Sequence, residues 1–229
     1  MTAKDPSRAT QPPWLTGGLI ATTLIAFWVA PLDSAASADA SSSWFWDGAL
    51  AATASPLAPQ ALTAHFLHTD TAHLLWNLLG LAVLGVALER FSRTHLMAAV
   101  LAGMAAVTLW FHTFADSTHY VGWSGVLNSL LVCCLYSLYL PSTSGQLATS
   151  RSYQNTTRWI NNLIVVTVAI GALSKTAWEI AFDQALITHT LWPPAPAAHL
   201  AGLTAGTLVC IVRSLLTRRR YSPISSFQS

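Results

Sequence analysis

The chain has 229 residues, 53% of them hydrophobic and only 9% charged, with a net charge of +2 and a positive mean hydropathy. Soluble domains carry about 25% charged residues, so this composition excludes an ordinary soluble domain and implies an all-α polytopic membrane protein. The small net charge is not concentrated on any soluble segment, and no nucleic-acid partner is expected.

Six apolar stretches, near 15–32, 72–90, 96–114, 124–140, 159–181 and 198–216, predict six spans, since a hydrocarbon core takes about 20 helical residues. The resulting organisation is a short cytoplasmic N-terminus over 1–14, a six-helix membrane bundle over 15–216 and a basic cytoplasmic tail over 217–229. The first stretch, with its basic start and the "SAASADA" that follows, also fits a cleaved signal peptide, but its apolar run is longer than a signal core and favours a retained span. The Asp33 to Asp70 and Pro141 to Arg158 segments read as loops. Of the 11 Lys and Arg, all but Lys175 fall on one side of a six-span chain, which puts both termini in the cytoplasm.

Along these spans, intramembrane polar groups are functional candidates because they are costly to keep there. His73 and Asn77 are one turn apart on the second span and share a face. Both carry donors able to meet a developing negative oxygen, and both also suit an ordinary interhelical contact.

Ser124 opens the fourth span inside Gly122-Trp123-Ser124-Gly125. The two glycines allow a tight turn and close backbone approach, and the first N–H groups of a helix lack intrahelical acceptors. Taken alone, such a serine more often serves close helix packing than catalysis.

His199 opens the sixth span, and Gly202 and Gly206 follow it on a GxxxG spacing that lets this helix lie almost against another. If the neighbour is the fourth span, imidazole and hydroxyl come within reach, and His199 becomes the general base for Ser124. No acidic residue is placed by sequence to orient the imidazole, so the expected site is a Ser-His dyad. Lys175 and Glu179, one turn apart on the fifth span, read as a structural ion pair.

Three stretches, "HFLHTDTAHLLWNLLGLAVLGVALER", "GWSG" and "AHLAGLTAG", occur in order on spans two, four and six, and together they resemble the rhomboid family of intramembrane serine proteases. The resemblance covers roughly Leu62 to Arg213. It implies Ser124 as nucleophile, His199 as base, and His73, Asn77 and the Ser124 N–H as oxyanion donors. "LTAHFLHTDTAHLLWNLLGL", "HYVGWSGVLNSLL" and "LSKTAWE" are similar to the rhombosortase branch. That likeness implies a bacterial inner-membrane enzyme with its site open to the periplasmic side. Its substrates would be membrane-anchored proteins with one transmembrane helix and a Gly-Gly C-terminal sorting tail. Trp123 stands where Leu is commoner, Asn128 where the branch has His, and a Trp-Arg pair in the first loop is missing. A general rhomboid protease, or a non-proteolytic client-binding relative, fits the same frame. A small transporter or channel finds less support, with no paired carboxylates, inverted repeat or charged ring in the sequence.

The other features are weaker. His65 and His68 precede the second span and read as solvated loop residues that also fit the wall of an outer cavity. Trp44, Trp46, Trp159 and Trp192 suit an interfacial belt. "TLWPPAPAAH" reads as a rigid approach to the sixth span. The cysteines, Cys133, Cys134 and Cys210, lie in apolar runs without disulfide or metal-ligand spacing and read as small core residues, and no metal or cofactor is expected.

Overall fold

The computed structural model describes residues 12–29, 50–51, 55, 57–114, 119–139, 151–182, 184 and 195–221. The N-terminal basic residues, the "SAASADA" stretch, Trp44, Trp46, Trp192 and the prolines of "TLWPPAP" lie outside the described residues. Among the described residues seven helices follow one another: α1 (Trp14–Val29), α2 (Gln60–Thr63), α3 (Thr71–Phe91), α4 (Arg93–Phe114), α5 (Ser124–Tyr139), α6 (Arg151–Phe182) and α7 (Pro196–Tyr221).

By length and composition, four helices are able to cross a membrane, in α3, α4, α6 and α7, while α1 and α5 are apolar helices of 16 residues each. The six expected spans are therefore four helices of full crossing length and two shorter ones. The boundaries also shift. Residues 151–158 were expected in a loop but continue α6, and α7 runs on to Tyr221 through part of the expected tail. Hydropathy marks where a helix meets lipid, whereas the hydrogen-bond ladder continues into water wherever the residues tolerate it. Pro196 begins α7, where a missing N–H costs nothing.

The long connection before α3 is not bare loop. It holds a two-residue strand β1 (Leu50–Ala51), α2 and a 3₁₀ turn at Ala64–Phe66. β1 pairs antiparallel with β2 (His119–Tyr120), Leu50 opposite Tyr120. This pairing anchors the segment that leads to Ser124.

α4, α5 and α7 pack most closely and form the centre of the molecule. Their apolar core includes Leu96, Val100, Met104, Val126, Leu130 and Cys133. α3 widens into a π turn at Leu81–Gly85, where Thr16 of α1 presses against Gly85. At the end of α3, the Glu89 carboxylate accepts hydrogen bonds from the Leu15 and Thr16 N–H groups at 3.1 and 2.9 Å and from the Thr16 hydroxyl at 2.8 Å. These are open donors at the start of α1, so Glu89 caps one helix from another. Arg93 closes the group at 3.3 Å from Glu89. Leaving such buried donors without an acceptor costs about 1–3 kcal/mol each.

Trp123 resolves one departure from the expected pattern. Its buried indole donates from Nε1 to Thr23 Oγ1 at 2.9 Å and meets the Phe66 ring edge-on. The large ring therefore fastens the start of α5 to α1.

Candidate active site

Ser124 is the first residue of α5 and is half-buried. The turn before it is set by Gly122, whose φ of 105° is strained for any residue with a Cβ. Space forbids a side chain there as well. An ideal Cβ on Gly122 would lie 2.7 Å from His73 Nε2 and 3.3 Å from Asn77 Nδ2. The Gly122 N–H donates to the Ala64 carbonyl at 2.9 Å, tying the turn to the 3₁₀ segment. His73 and Asn77 thus sit on one face of α3, directly against the backbone that leads into Ser124.

The Asn77 amide nitrogen is buried, with no hydrogen-bond partner among the described residues. An unused buried donor is expensive, and its position suits an acceptor that arrives with a substrate. His73 is held at both ends. Its backbone N–H donates to Asp70 Oδ1 at 2.7 Å, and its ring Nδ1 lies 3.1 Å from Thr69 Oγ1, which is itself 3.1 Å from Asp70 Oδ2. The Thr69 hydroxyl has one hydrogen. Donated to Asp70, it leaves His73 with Nδ1–H and a bare Nε2; donated to His73, it leaves Nε2–H, the tautomer that can serve an oxyanion. Asn77 can donate in either case.

His199 lies one turn into α7 and is buried. The approach of α7 to α5 is a backbone contact. An ideal Cβ on Gly202 would fall 1.8 Å from the Gly125 carbonyl oxygen, and one on Gly206 would fall 2.6 Å from that of Ser129. Gly125 in turn has the Ala198 carbonyl 2.9 Å from its own ideal Cβ position. The residue after Ser124 therefore lies against the residue before His199. The buried Tyr120 hydroxyl donates to the Gly122 carbonyl at 3.2 Å and accepts from the Gly125 N–H at 3.4 Å, so it braces the turn on both sides of Ser124. Ser124 and His199 stand on touching helices, and among the described residues no hydrogen bond joins their side chains. Such bonds commonly tighten only when substrate is present.

Two readings from the sequence are corrected here. The first is the expectation that no acidic residue lies beside the imidazole: His199 Nδ1 lies 2.9 Å from Glu179 Oε2, and the Glu179 side chain is only 1% exposed. Lys175 holds the other carboxylate oxygen, so the expected ion pair is present and its carboxylate also meets His199. The i,i+4 spacing gave the Lys175 contact and said nothing about which way that face of α6 turns. The second concerns His65 and His68, which are buried. His65 packs by Tyr120 and Trp123, and His68 stands edge-on to His73 at 4.9 Å. Burial pushes His65 down to about 4, and burial together with nearby His73 pushes His68 down to about 3, so both are neutral at ordinary pH.

Away from this site, His95, Cys133 and Cys210 converge, their ligand atoms within 4.8 Å of one another. Sequence spacing had given no hint of the grouping, since it joins three helices. The Ser137 hydroxyl donates to the Cys133 carbonyl and lies 3.5 Å from His95 Nδ1, and among the described residues the group offers three ligand atoms where a closed zinc site takes four.

A family model described as Rhomboid domain matches residues 58–215, which takes in α3 to α6 and most of α7. No match was found among curated proteins. With most of its length matched, and with His73, Asn77, Ser124, Glu179 and His199 inside the match, the chain belongs to the rhomboid family of intramembrane serine proteases.

Proposed function

We propose that the protein is an integral-membrane serine endopeptidase in which Ser124 is the nucleophile and His199 the general base. The observation that carries this reading is the backbone contact of α5 and α7 at Gly125 and Gly202, which sets the His199 turn against the Ser124 turn. Ser124 Oγ attacks the scissile carbonyl while its proton passes to His199 Nε2. Charge developing on the carbonyl oxygen meets the Asn77 amide, the Ser124 N–H and, in its Nε2–H tautomer, His73. Collapse breaks the C–N bond, and the amine leaves with the proton held by His199. Water then attacks the acyl-enzyme while the same base takes its proton, and collapse breaks the Ser124 Oγ–acyl bond, releases the carboxylic acid and returns the proton from His199 to Ser124 Oγ.

A carbonyl inside a helix is shielded by its own hydrogen bond, so the substrate segment must unwind to reach Ser124. Residues that weaken helices, glycine above all, therefore favour the cut. This supports the rhombosortase reading, in which a membrane-anchored protein with one transmembrane helix loses a C-terminal tail that begins at a Gly-Gly pair. In the proposed setting the enzyme lies in a bacterial inner membrane, with both termini cytoplasmic and the site open to the periplasm.

A fluorophosphonate probe tests the chemistry. Purified protein is expected to label stoichiometrically on the peptide that contains Ser124, and Ser124→Ala to remain unlabelled. Labelling that persists in Ser124→Ala would remove the serine protease reading. The substrate class is tested by co-expression with two single-span reporters, one ending in a Gly-Gly tail and one without it. Removal of the tail only from the first is expected; cleavage of the second alone would leave a general rhomboid protease.

A further inference from the structure

The general base is held by an acid on another helix. We infer that Glu179 is a positioning residue that completes a Ser124–His199–Glu179 relay, an inference that rests on the serine protease reading above. An ionised carboxylate accepts hydrogen bonds and cannot donate them. With Glu179 Oε2 at 2.9 Å, the imidazole hydrogen therefore sits on His199 Nδ1 and the lone pair on Nε2, the nitrogen that must take the serine proton. When that proton arrives, the imidazolium forms beside a negative charge, in surroundings where water cannot screen it.

The placement of Glu179 is hard to explain as packing. α6 lies at the edge of the bundle, and among its described side chains only Thr176 and Glu179 are buried. Thr176 returns its hydroxyl to Ala172 of its own helix at 3.0 Å. Glu179 instead reaches across to α7. Burying a carboxylate is costly unless both oxygens are met, and here they are divided, Oε1 to Lys175 and Oε2 to His199. Lys175 is about one-third exposed and offsets the charge from the wetter side, which leaves the buried oxygen to the imidazole. A helix otherwise turned to lipid thus contributes a carboxylate to the base.

The test compares wild type, Glu179→Gln and Glu179→Asp as full-length protein in the same detergent, reading the inactivation constants for a fluorophosphonate probe together with thermal unfolding. A glutamine keeps the shape but can turn its amide N–H toward Nδ1, which favours the wrong tautomer. Glu179→Gln is expected to slow the maximal inactivation rate by about 10²- to 10⁴-fold with probe affinity and unfolding midpoint unchanged. Glu179→Asp, with its carboxylate one methylene shorter, is expected to recover about tenfold of that loss. A merely structural residue would move the unfolding midpoint and would not discriminate Gln from Asp in rate. Glu179→Gln reacting at the wild-type rate overturns the relay and leaves the protease reading standing, whereas wild type that fails to label overturns both. Should Glu179→Gln not fold, ¹⁵N shifts of the His199 ring in wild type decide: Nδ1–H is expected, and Nε2–H overturns the relay.

Discussion

Replacing Ser124 by Ala, replacing His199 by Ala, and making both changes together are expected to lower peptide hydrolysis by nearly the same factor. Groups that act on one proton are not additive. Once Ser124 is gone there is no hydroxyl for His199 to deprotonate, and without His199 the hydroxyl stays a poor nucleophile. In soluble serine proteases single losses of this kind reach about 10⁶-fold, and the double loss is little worse. The activity that remains measures what Asn77, the Ser124-turn backbone and substrate positioning supply on their own. Initial rates on a single-span reporter give all three numbers. If the double variant instead loses the product of the two single losses, Ser124 and His199 act on separate steps, and the proposed mechanism is wrong.

The same pairing shows why some of the site was legible in the sequence and some was not. Ser124 and His199 each carry their own local signature, a glycine turn before one and a GxxxG stripe after the other, because both demands are on backbone within a few residues. Asn77 and His73 could be paired from helical spacing alone. Glu179 could not be joined to His199, since that contact depends on how α6 is rotated against α7, which the spacing of residues along one helix does not report. His65 and His68 were misread for a related reason. Polar residues before a span suggest water, but here the pairing of β1 with β2 and the Gly122–Ala64 hydrogen bond fold that segment over the start of α5. The α6 boundary failed on different grounds, because its first turns are polar and hydropathy does not report helix outside lipid. Glu89 shows the converse, a glutamate legible only as part of a family motif, whose physical task is to cap a distant helix.

The contact that joins the two halves of the site can be pried apart with one methyl group. In Gly202→Ala the new Cβ would lie 1.8 Å from the Gly125 carbonyl oxygen, while an ordinary C···O contact is about 3.3 Å. The obstacle is backbone on both sides, so no rotamer relieves it and α7 must back away from α5 by about 1.5 Å at that level. Overpacking of this kind costs about 1–3 kcal/mol, which a bundle with an intact α4–α5–α7 core survives. Catalysis is less forgiving, because a misplacement of about 1 Å between reacting groups can cost 10²-fold. Gly202→Ala is therefore expected to remain folded, with a modestly lower unfolding midpoint, and to lose at least about 10²-fold in kcat. Leu208→Ala, an exposed change on the same helix, is expected to leave kcat alone. Gly206→Ala, whose Cβ would meet the Ser129 carbonyl at 2.6 Å and lies a turn farther from His199, should fall between them. Full activity in Gly202→Ala would mean that the helices do not need to touch there, and the juxtaposition of Ser124 with His199 would lose its structural basis.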